Sequence, residues 1–126
     1  MAQDITVEAV RLALGLQQLR AEVASSNIAR ANTPDHQVMR VDMGNAMALL
    51  RQGAAPASGP GVFASLSAAS AQEIAPVVAD TSLAASQPDT QVAEVVAASL
   101  DYQALSESLS RHFGLMRLAL SGRSGA

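Results

Sequence analysis

Apolar residues recur near the start of the chain as Ile5, Ala9, Leu12, Leu16, Leu19 and Val23, alternating steps of four and three. That spacing puts them on one stripe of a helix, a heptad-like seam. Asp4 stands where an N-cap would, Glu8 falls in the first turn, and Arg20 and Arg30 lie toward the end, so the charges complement the macrodipole. The pattern predicts a helix from about Asp4 to Ala31, roughly 40 Å long at about 1.5 Å per residue.

The same alternation returns at the other end as Val92, Val95, Ser99, Tyr102, Ser106, Leu109, Phe113, Met116 and Leu120. Asp89 or Thr90 can cap this second helix and Gly122 can end it. Its first half carries small seam residues and its second half large ones, which places the expected grip between Leu109 and Leu120. Between the two helices, residues 51–90 are rich in Ala, Ser, Gly and Pro, hold four of the five prolines and show no sustained period. Three segments follow: an N-terminal helix and turn (1–34), a flexible middle insert (35–88) and a C-terminal helix (89–126). Within the insert, VFASLSAASAQEI is expected to form one short helix or strand.

Pairing the two stripes leaves Val10 and Leu14 on one helix, and Val96, Leu100 and Leu105 on the other, without partners. Such a chain asks for neighbouring copies, and alone it is expected to be poorly ordered. Composition supports a thin core: the apolar fraction is 49%, but aromatics are 2% and much of the apolar count is alanine, which buries little area.

The stretch SSNIARANTPDHQ, Ser25–Gln37, closes the first helix. Pro34 disfavours helical geometry at Thr33, so the helix must end by about Asn32, which can take a left-handed cap before a turn through Pro34 and Asp35. A helix stop accounts for Asn32 to Pro34 but not for Asn27, a poor helix former inside the last turns. Two roles fit Asn27: a tolerated residue in a fraying turn, or an amide bonded to the Asn32–Pro34 turn or to a neighbouring subunit.

Charge and residue types narrow the function. A net charge of -3 with no basic cluster argues against nucleic-acid binding. All basic side chains are arginine, a bias that accompanies the alanine excess. The absence of cysteine rules out disulfides, thiolate nucleophiles and sulfur-ligated metals. The opening MAQDITVEAVRLALGL does not look like a secretory signal, and no apolar run is long enough to span a bilayer.

An enzyme needs a constellation, and none stands out. His36 and His112 lie in different segments, without an acidic cluster beside either. Asp101 and Glu107 flank Tyr102 but fall on different faces of a helix. The serines have no base beside them, and GPG is no phosphate loop. The chain is therefore read as a non-enzyme, with no catalytic residues, cofactor or metal. Tyr102 is either a seam residue or an inter-subunit contact.

At its helix-closing motif the chain resembles the axial proteins of the bacterial flagellum, whose rod and hook members end an N-terminal helix in a pattern like A-x-N-I-A-N-x-x-T-P-G-Y. Ser26, Asn27, Ile28, Ala29, Asn32, Thr33 and Pro34 stand in that pattern, with Arg30 in place of its second asparagine. The short length and the tail LDYQALSESLSRHFGLMRLALSG look most like the proximal rod members, through Tyr102, Gln103, Leu109, Ser110 and Arg117. The resemblance covers both terminal helices and not the middle. The family's Gly-Tyr is Asp35-His36 here, so a type I turn that aspartate accepts is expected where glycine would take a positive φ. The acidic approach to the family's last helix is thinned to Asp89 and Glu94.

The resemblance implies a mainly α fold whose N- and C-terminal helices pair antiparallel in a coiled-coil-like bundle. It implies a structural subunit of the periplasmic rod in the flagellar basal body, exported by the flagellar type III apparatus without a cleaved signal peptide and transmitting torque through packed helices. Its partners would be other rod subunits, as homo- and hetero-oligomer, and the junction protein between rod and MS ring, without membrane insertion. Leu12, Leu16, Leu19, Val23, Tyr102, Gln103, Leu109, Phe113, Met116 and Leu120 are then the expected packing and interface residues. The competing class is a soluble cytosolic helical adaptor or export chaperone that binds a partner helix.

Overall fold

The computed structural model describes residues 5–55 and 59–124, which are mainly helical. Helix α1 spans Ile5–Ala29, with the expected cap at Asp4 lying outside the described residues. Strand β1 (Met39–Val41), helices α2 (Gly44–Ala54), α3 (Pro60–Ala68) and α4 (Ala71–Ile74), strand β2 (Val77–Ala79) and a 3-10 turn at Ala84–Ser86 follow, and α5 runs from Pro88 to Ser124. The long terminal helices touch each other extensively.

The middle segment is built rather than loose. β1 and β2 pair antiparallel with Met39 opposite Ala79, Arg40 opposite Val78 and Val41 opposite Val77. The ladder is extended by Asp80 N donating to Val38 O and Asp42 N donating to Pro76 O, both at 2.8 Å. VFASLSAASAQEI yields two helices, not one element: α3 ends at Ala68, and the Ser70 hydroxyl accepts from Glu73 N at 3.4 Å to open α4. Arg11 on α1 closes the other side of that break. Its Nη2 donates to Leu66 O at 2.7 Å and Ala69 O at 3.1 Å, so it shares the Leu66 carbonyl with Ala69 N and caps the Ala69 carbonyl just past the end of α3.

This segment, not α5, covers the leucine seam of α1. Leu12, Leu16 and Leu19 are buried in one cluster with Ala46 of α2, Leu66 of α3, Ala71 of α4 and Ala75, and Ile5, Ala9 and Val23 pack around it. Gly15 lets α4 come close, since a Cβ there would sit 3.3 Å from that of Ala71. The expectation of a structureless insert failed for a physical reason. Short helices of three turns or fewer leave too few repeats for a period to register, and alanine hides the inward positions.

Helix α5 meets α1 along a different face from the one its periodicity suggested. Gln91 and Ala98 are buried and Leu105 is half-buried, one residue before Val92, Ser99 and Ser106. Val92 and Ser99 are exposed. The expected grip from Leu109 to Leu120 is largely absent: Leu109 is half-buried, whereas Phe113, Met116 and Leu120 are exposed. Length explains part of this, because α1 has 25 residues and α5 has 37. The start and end of α5 also differ from expectation. It begins at Pro88, whose fixed φ suits a first helical position, with Asp89 inside the first turn, and it runs through Gly122.

Candidate assembly interface

The close of α1 is organised by Asn27, which is 3% exposed. Its Nδ2 donates to Met39 O at 2.8 Å, and its Oδ1 accepts from Met39 N at 3.0 Å. One side-chain amide thus pairs with the outer edge of β1 as a strand backbone would. The same Nδ2 donates to Gln91 Oε1 at 3.0 Å, and Gln91 Nε2 donates to Ala85 O at 2.9 Å. Four elements, α1, β1, the 3-10 turn and α5, are therefore tied through two amides. Asn27 does bond, but to Met39 and Gln91, not to the turn at Asn32–Pro34.

The remaining motif residues lie outward: Ile28, Ala29, Asn32, Thr33 and Pro34 are all exposed. The helix unwinds through 3-10-like bonds, with Ala31 N donating to Ile28 O at 3.2 Å and Thr33 N to Arg30 O at 3.0 Å. Among the described non-glycine residues the positive φ belongs to Asp35, at 60°, not to Asn32. The type I turn expected at Asp35 is not what forms: Asp35 takes the left-handed geometry, which aspartate tolerates better than most side chains.

Beside this node Arg20 bridges α1 to α5. Its Nε lies 2.6 Å from Glu94 Oε1 and its Nη1 lies 3.3 Å from Asp101 Oδ2, with Gln17 Oε1 accepting from Nη1 at 2.5 Å. The hydrogen bond to Glu94 holds the guanidinium pKa above its ordinary value against the opposing effect of burial. A cleft of about 240 Å³ opens here, lined by Arg20, Met39, Arg40, Asp80, Gln91 and Glu94 among others. It falls below the range of about 300 Å³ and upward typical of small-molecule sites, and Arg20 and Glu94 satisfy each other within it. No group of three or more potential metal-binding side chains occurs among the described residues. His36 sits on the turn with Nδ1 3.1 Å from Thr33 O, and His112 lies beside Phe113, ring centroids 6.2 Å apart.

Exposed apolar residues lie on two sides of α5. The first continues the intramolecular face beyond Leu109, through Phe113, Met116 and Leu120. The second carries Val92, Val96 and Leu100, each at least half exposed, and further along Leu118 at 70%. Tyr102 and Gln103 are exposed and border a shallow cleft with Gln17, Gln18, Ala21, Ala98 and Ser99 of both helices. Sequence reasoning missed Gln91, Met39, Arg11 and Arg20 as organising residues. Only Asn27 gave a signal, as a poor helix former where a better one would serve. Among the described residues no helix is long and apolar enough to cross a membrane. No protein-family model, curated protein or solved structure matches this chain.

Proposed function

We propose that the chain is a structural subunit of the bacterial flagellar basal-body rod, of the kind represented by the proximal rod protein FlgB, which its terminal helices resemble. The observation that carries this reading is the stretch Ser25–Gln37, whose buried Asn27 locks α1 to α5 while Ile28, Ala29, Asn32, Thr33 and Pro34 stay outward. Contacts of Asn27 with Gln91, and of Arg20 with Glu94 and Asp101, run in opposite order along the two helices, which supports an antiparallel, coiled-coil-like pair. The face through Leu109, Phe113, Met116 and Leu120 then extends past the reach of α1, where other rod subunits or the junction protein at the MS ring would cover it. The role needs no catalytic step, cofactor or metal. Torque passes through packed helices, and the subunit reaches the periplasm through the flagellar type III apparatus without a cleaved signal.

A soluble cytosolic adaptor or export chaperone would use the same bare apolar face to hold a partner helix. A deletion strain separates the two. The rod reading expects loss of basal bodies by electron microscopy and loss of swimming, both restored by the wild-type chain and not by Met116→Glu. Intact basal bodies in the deletion strain would sink it.

A further inference from the structure

We draw no further inference here: the strongest candidate, the open groove between α1, α2 and α5 lined by Leu16, Met47, Leu50 and Leu105, carries nothing because nothing in the structure shows what covers it.

Discussion

Asn27→Ala is the sharpest test of how the two long helices are joined. The substitution removes the two hydrogen bonds to Met39 and the one to Gln91 Oε1, all in a site that is nearly closed to water. Gln91 is itself only 9% exposed, so its oxygen loses its donor with little access to solvent. Each buried group left unpaired costs about 1 to 3 kcal/mol. Alanine returns roughly 0.5 kcal/mol through better helix propensity. Counting the Gln91 oxygen and one Met39 group as truly stranded, the net loss is about 1.5 to 5.5 kcal/mol. For a chain of this size that lowers the melting temperature by roughly 10 °C. Thermal melts followed by circular dichroism at fixed concentration read this directly. Asn27→Asp should be worse than alanine, because a carboxylate would face Met39 O and Gln91 Oε1 with no proton to offer either. If Asn27→Ala melts within about 0.5 kcal/mol of wild type, the amide node is not what holds α1 to α5. On the proposed rod reading, the same variant reduces swimming in a flagellated host while its export to the periplasm persists.

Other outcomes follow from the same contacts. Arg11→Ala removes the guanidinium from Leu66 O, which keeps Ala69 N, and from Ala69 O, and should cost about 1 kcal/mol in urea titrations, with Arg11→Lys recovering only part because it lacks the fork. Leu66→Ala, at a site with 0% exposure, should cost about 2 to 5 kcal/mol, a loss that a loose insert would not show. Gly114→Ala should stabilise α5 by up to about 1 kcal/mol, read as higher helicity by circular dichroism, since a Cβ there meets nothing. Asp80 accepts from Ser82 N at 3.0 Å, and that bond holds its carboxyl below the usual carboxylate value. A depressed folded pKa gives stability that is present above the unfolded pKa and lost as pH falls through the folded one, so Asp80→Asn should flatten part of the stability loss below about pH 4.

The leucine stripe of α1 was legible because it is long, regular and made of large residues: Leu12, Leu16 and Leu19 are buried as the spacing implies. What covers them was not. Ala46, Ala71 and Ala75 lie on short elements, where two or three inward positions carry no period and alanine looks the same inside as out. The face of α5 was missed by one residue because apolar periodicity weighs Val92 above Gln91, whereas the fold buries the glutamine and leaves the valine half exposed. At the motif the anomaly of Asn27 was visible and its partner was not, since Met39 and Gln91 are brought to it by a β-pair and a 3-10 turn that no local pattern announces. The left-handed residue was misassigned to Asn32 because asparagine is the commoner cap. Asp35 takes it one step after Pro34.

These misses share a physical cause. Six of the ten buried apolar residues among those described are alanines, which let backbones approach but contribute little area and fit almost any rotation of a helix about its axis. A contact of that kind between α1 and α5 cannot choose between neighbouring rotations of α5 by packing alone. Directional polar contacts can. Gln91 must point inward to accept from Asn27 and donate to Ala85, and Glu94 and Asp101 must both reach the one guanidinium of Arg20. Those requirements turn α5 so that Gln91, Ala98 and Leu105 face in and Val92, Val96 and Leu100 face out. The apolar stripe turned outward by that rotation stays exposed, so the amides that fix the chain's interior also determine which apolar residues its surface carries.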